Sequence, residues 1–175
     1  MEGAVLLAVP GSAGIVLGAI GLIAAALCAV PGLRNYWVGI WLGAALVGAV
    51  VGSILIVRES SLRDLRLAGT PLHKFALCLA PSIGAGLVMT AVHWYGGNLH
   101  AIPGTWLLLY GCALVAASAA TTRIIATLGA LFILFGLLAL LLGDDLQILM
   151  LGAGFGGLHI VFGFLIRHMS HGHEA

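Results

Sequence analysis

The sequence predicts an all-α fold: a polytopic membrane protein built as a six-helix transmembrane bundle with both termini cytoplasmic. Three observations predict it. Hydrophobic residues make up 62% of the 175 positions and another 26 are glycine. Only 7% are charged, against roughly 25% in a soluble domain, so the chain cannot cover itself with a polar surface. The polar breaks also cut it into six stretches near the ~20 apolar residues that a bilayer crossing requires. The same composition excludes a nucleic-acid partner, which needs a basic face, and a disordered chain, which needs low hydrophobicity.

The stretches run Ser12–Val30, Trp37–Val57, Phe75–Tyr95, Thr105–Thr122, Ile124–Leu142 and Leu146–Ile166. The longest connection is Arg58–Lys74, so residues 1–175 are expected to form a single transmembrane domain whose function lies in its helices and short loops. Basic residues near span ends stay cytoplasmic. Arg58, Arg63, Arg66, Lys74, Arg123 and Arg167 mark one side and Arg34 alone the other, which puts both ends in the cytoplasm. All the Trp and Tyr residues fall near the opposite, outer ends of spans two, three and four, where aromatic side chains favour the interface.

Span one follows Met1-Glu2-Gly3, which has no basic residue, and a bulky Leu27 precedes Cys28. Neither pattern suits a cleaved signal, so an uncleaved first helix is expected. Small residues let helices approach closely in lipid, where hydrophobicity does not drive association. Gly14/Gly18, Gly39/Gly43, Gly48/Gly52 and Gly152/Gly156 repeat the four-residue spacing. The two pairs of span two are nine residues apart, on opposite faces, which predicts a sandwiched helix and a face available for a homo-oligomer. After it, Ser61 as an N-cap, Asp64 at N3 and Gly69 as a stop read as a short interfacial helix. Its Arg63 and Arg66, with Arg58 and Lys74, are lipid-headgroup candidates.

Span three contains Pro81 followed by Ser82, Gly84 and Gly86, a pattern that kinks a helix and in transporters often marks a binding site. Leu42-Gly43-Ala44-Ala45-Leu46-Val47 resembles Tyr110-Gly111-Cys112-Ala113-Leu114-Val115, as a duplicated hairpin would. In span six, Gly152-Ala153-Gly154-Phe155-Gly156-Gly157 matches a dinucleotide fingerprint, but without the strand–turn–helix setting it reads as packing glycine in a continuous span.

No Asp, Glu, Lys or Arg falls in the apolar part of a span, which argues against ion-coupled transport and a voltage sensor. His159 is the one titratable group deep in a helix, either a ligand contact or a histidine bonded to a carbonyl. At the outer end, His93, Trp94, Tyr95, His100 and Trp106, with Asp144 and Asp145 and with Arg34 and Asn35, gather polar groups under an aromatic rim, as a small-ligand pocket does. Counting along the helices at 1.5 Å per residue separates His93 from His159 by roughly 15 Å in depth, too far to share one haem iron. Cys28, Cys78 and Cys112 read as packing residues, and His168, His171 and His173 as incidental to any metal. No catalytic set is visible, and neither a cofactor nor a metal is assigned.

The stretches Pro103-Gly104-Thr105-Trp106-Leu107-Leu108-Leu109-Tyr110-Gly111, Arg123 opening the next helix, and Phe155-Gly156-Gly157-Leu158-His159-Ile160-Val161-Phe162-Gly163 resemble small bacterial multi-pass membrane proteins. The resemblance covers roughly the last 75 residues. It implies a bacterial inner-membrane setting and contributes no activity. The expected function is binding of a small or lipidic ligand near the aromatic rim and His159. The alternatives are a non-catalytic scaffold or accessory subunit and a small transporter or channel, in each case as a homo-oligomer or with a membrane partner in the lipid bilayer.

Overall fold

The computed structural model describes residues 11–62, 71–119, 121–141 and 144–171. These residues form helices α1 (Gly11–Ala29), α2 (Trp37–Leu62), α3 (Pro71–Tyr95), α4 (Ala101–Ser118), α5 (Arg123–Leu141), α6 (Asp144–Leu151) and α7 (His159–His171). A 3-10 turn at Arg34–Tyr36 precedes α2, and a π-helix at Gly152–Leu158 joins α6 to α7. There is no strand among the described residues. Six helical stretches are long and apolar enough to cross a membrane, which makes this an all-α, multi-pass membrane protein.

Local sequence sets the boundaries. Val30 leaves the helix because Pro31 follows it, and a residue before proline is pushed out of the helical region. Pro71 opens α3, where its missing N–H is no loss. The fourth helix begins four residues before the expected Thr105 and ends at Ser118 rather than Thr122. Pro103 sits in its first turn, where amides lack intrahelical partners anyway. At the other end Ser118 Oγ donates to the Val115 carbonyl at 2.6 Å and Thr121 Oγ1 to that of Ala117 at 3.1 Å. Two other expectations are corrected. Ser61 does not cap a new helix, since α2 continues through it to Leu62; Asp64 and Gly69 lie outside the described residues. The sixth span is not a continuous α-helix, because the glycine-rich stretch, poor in α-propensity, winds as a π-helix.

The chain divides into two compact units, with one boundary near Thr70 and the other between Gly154 and Phe155, inside the π-helix. The first unit holds α1, α2 and α7. Gly11, Gly14, Gly18 and Gly21, spaced three, four and three, line one face of α1. A Cβ on Gly18 would stand 2.7 Å from the Gly156 carbonyl oxygen, and one on Gly21 the same distance from that of Phe155. α1 therefore meets the π-helix backbone to backbone, and it meets α7 the same way where a Cβ on Gly14 would stand 3.1 Å from the Gly163 Cα and 3.2 Å from the His159 carbonyl oxygen, the mode that lipid favours. α2 rests on α1 where Gly48 and Gly52 meet the Leu17 side chain, at 3.2 and 3.7 Å from a would-be Cβ. Gly39 and Gly43 have nothing within 4 Å. The expected sandwich of α2 is thus one-sided within its unit.

The second unit is built around an antiparallel α4–α5 pair. Gly104 faces Gly136 and Gly111 faces Gly129, each close enough that a Cβ would fall 2.7–3.0 Å from the other's carbonyl oxygen. Between them Leu107, Leu114, Phe132 and Pro103 are fully buried, and Tyr110 meets the Phe132 ring edge-on at 4.9 Å. Gly154 fits against Leu107 and Phe132. α3 runs through Pro81 without a break; Pro81 is exposed, so the helix does not open there. Gly111 is buried in a helix pair whereas Gly43 is exposed, so the matched hexapeptides serve different surroundings.

Candidate functional site

The polar residues of the second unit concentrate where α3 meets α4. Neither helix contributes a charge there. Thr90, 8% exposed, donates its hydroxyl proton to the Gly86 carbonyl one turn back at 2.8 Å. With that proton committed, its oxygen accepts the Trp106 indole N–H at 2.9 Å. The indole packs against Gly86, where a Cβ would stand 2.9 Å from two ring carbons.

One turn further along α3 the same construction recurs with the helices exchanged. Thr105 on α4 donates to the Ala101 carbonyl at 2.8 Å, and its oxygen lies 3.2 Å from His93 Nε2 on α3. Two rungs thus tie the helices together, each an aromatic ring nitrogen, a threonine hydroxyl and a helix carbonyl. They satisfy groups that hydrocarbon would leave expensive. His93 also occupies the third-last helical position of a Schellman cap: Asn98 N–H bonds its carbonyl at 2.9 Å and Gly97 N–H that of Trp94 at 3.3 Å. Gly97 has φ +69°, the left-handed conformation such a cap requires.

Of the predicted rim residues, the structure brings His93 and Trp106 onto this seam. Trp94 and Tyr95 are exposed, at 55% and 90%, and His100 is exposed in the turn before α4. Asp144 and Asp145 open α6; their side chains lie outside what is described. Arg34 and Asn35 are exposed in the first unit. Sequence reasoning passed over Thr90 and Thr105, because an uncharged hydroxyl in an apolar span announces nothing. The usable signal is their spacing, since Thr90 lies one turn before His93 and Thr105 one turn after Ala101.

His159 belongs to the first unit and is 6% exposed. Its Nδ1 lies 3.1 Å from the Phe155 carbonyl oxygen, which only a ring N–H can satisfy. Its ring stacks on that of Phe155 at 6.1 Å and 15°, and Phe155 in turn meets Trp41 at 6.2 Å. The π-helix loosens the turn that carries Phe155, and π-segments recur at functional positions. Trp41 Nε1 is buried without a hydrogen-bond partner among the described residues; the buried Cys28 thiol is its neighbour, short of hydrogen-bond geometry. Cys28, Cys78 and Cys112 are all free, and Cys112 is exposed rather than packed.

Arg58 and Lys74 are exposed at the end of α2 and the start of α3, whereas Arg63 and Arg66 lie outside the described residues. Among the described residues no three His, Cys, Asp or Glu side chains cluster as a metal site. Comparison with known protein families, with characterised proteins and with solved structures finds no match, so function is argued from this chain's own residues.

Proposed function

We propose that this membrane protein binds a small or lipidic ligand at the α3–α4 seam, under the rim of Trp94, Tyr95 and His100, without catalysing a reaction. The observation that carries the reading is His93. One ring nitrogen is held by Thr105, and no hydrogen bond to the other occurs among the described residues. Exposed aromatic side chains flank it, as they do where a protein meets headgroups. His159 contributes to this reading only as a second buried polar position, since its Nδ1 is taken up within its own helix. Under the same proposal the seam faces outward in a cell inner membrane, both termini are cytoplasmic, and Arg58, Arg63, Arg66 and Lys74 attract anionic headgroups on the inner side.

Native mass spectrometry of the purified protein tests it. A retained ligand that disappears in His93→Ala while the fold persists is the expected result. A ligand-free wild type, or equal retention in both proteins, overturns it.

A second reading, a scaffold or accessory subunit, is favoured by a different observation. Gly39 and Gly43 form an exposed small-residue face on α2 with nothing within 4 Å, suited to another copy or a membrane partner. The same spectra read it: Gly43→Leu is expected to dissociate an oligomer that His93→Ala leaves intact.

A further inference from the structure

We infer that the seam recognises a hydrogen-bond-donating headgroup, an ammonium or hydroxyl of a membrane lipid, through Nδ1 of His93 acting as acceptor. The inference rests on the rim reading above and adds the chemistry of what is bound. It follows from where the protons must lie. Thr105 Oγ1 is 2.8 Å from the Ala101 carbonyl oxygen, and a carbonyl has no proton to give. If the hydroxyl turned its proton to His93 instead, two oxygens would face each other at that distance with nothing between them. The hydroxyl proton therefore points at Ala101, and the Thr105 oxygen can only accept. The ring nitrogen beside it, Nε2 at 3.2 Å, must carry the hydrogen. A neutral imidazole has one N–H and one lone pair, so the lone pair stands at Nδ1.

The neighbouring rung serves as an internal comparison. Trp106 makes the same bond to Thr90, which in turn donates to Gly86, but an indole has a single nitrogen and nothing is left over. That rung closes on itself. Its counterpart uses a ring with a second nitrogen and is half-buried, while Thr90 is buried. One rung ties the helices and the other ties them while presenting an acceptor. An acceptor selects for N–H or O–H donors and offers nothing to a quaternary ammonium. A lipid is the favoured source because His93 lies in the last turn of α3 with Trp94 and Tyr95 exposed beside it, the setting of an interfacial anchor.

Phosphatidylethanolamine and phosphatidylcholine share phosphate and net charge and differ in N–H donors, so they isolate the claim. Protein with ring-¹⁵N histidine is placed in phosphatidylcholine bilayers, and the His93 signals are identified as those missing from His93→Gln. The expected result is a protonated Nε2 and an unprotonated Nδ1. The Nδ1 signal then shifts when phosphatidylethanolamine of the same chains is added, and stays in place with the same amount of free ethanolamine. Thr105→Ser retains this pattern and Thr105→Val scrambles the two tautomers. A protonated Nδ1, or a tautomer unchanged in Thr105→Val, overturns the acceptor assignment. No response to phosphatidylethanolamine overturns the headgroup class, and an equal response to free ethanolamine overturns the lipid source. Each of these leaves the rim reading standing if a ligand is still lost from His93→Ala in native spectra; absence of any such ligand removes the rim reading itself.

Discussion

At the scale of single residues, the informative side chains are two threonines whose hydroxyl protons are spent on their own helices. Thr90 thereby accepts the Trp106 indole N–H from the facing helix, and on the inferred tautomer Thr105 accepts in the same way from His93 Nε2, 3.2 Å away. A neutral hydrogen bond of this kind contributes about 1 kcal/mol net, whereas leaving a buried donor unpaired costs about 1–3 kcal/mol. Thr90→Val is therefore expected to destabilise more than Trp106→Phe, because it orphans the indole N–H. The double variant should lose less than the two singles together, with a coupling of about 1 kcal/mol in thermal unfolding in detergent. Additive losses would show that the rung contributes nothing. His93 and Trp106 were legible in the sequence as interfacial residues. Their threonine partners were not, because what ties them into the seam is a rotamer and a proton position rather than a residue type.

Among the helices, glycine placement separates faces that must stay bare from faces that need not. A Cβ on Gly21 or Gly111 would meet backbone atoms of the facing helix at 2.7–2.8 Å, and backbone does not yield as a flexible side chain does. Gly21→Ala and Gly111→Ala are each expected to destabilise by about 1–3 kcal/mol through overpacking. Gly39→Ala, with open space around it, should be neutral or gain up to about 1 kcal/mol from helix propensity. A melting series of the three variants checks the ordering, and a Gly39→Ala loss as large as that of Gly21→Ala would contradict it. The four-residue glycine spacing marks close packing at Gly14/Gly18 and contact with Leu17 at Gly48/Gly52, but not at Gly39/Gly43. The seven-residue spacing of Gly104 with Gly111, and of Gly129 with Gly136, identifies the facing pairs more sharply. The π-helix was not legible, since no residue pattern distinguishes a hydrogen bond five residues back from one four residues back. Glycine only lowers the resistance to it.

For the whole molecule, six spans were readable because hydrocarbon sets the length of each crossing and charge marks each break. The ends moved by four residues where Pro103 fitted into a first turn and by five where α2 ran on to Leu62. The proposed topology, with six crossings, puts both ends on one side. Reporter fusions at either terminus are expected to be active in the cytoplasm, and a cysteine introduced by His100→Cys should react with an impermeant maleimide from the opposite face. Labelling of that cysteine only after the membrane is breached would invert the topology.

The seam between α1 and α7 has a consequence for how the protein is made. Its glycines at positions 11, 14, 18 and 21 meet residues 155–167, so α1 finds this partner only after more than a hundred further residues have been made. Chains generally fold in the order of synthesis, and everything from Pro71 to Gly154 belongs to the other unit. That middle unit has all its helices in hand before α7 exists. α1 and α2 can pair at once through Leu17, Gly48 and Gly52, but the Gly11–Gly21 face of α1 stays uncovered until residues 155–167 are delivered. Chains arrested near Gly154 should hold an assembled α4–α5 pair while the glycine face of α1 is still open to labelling, which makes α7 the clasp that closes the first unit.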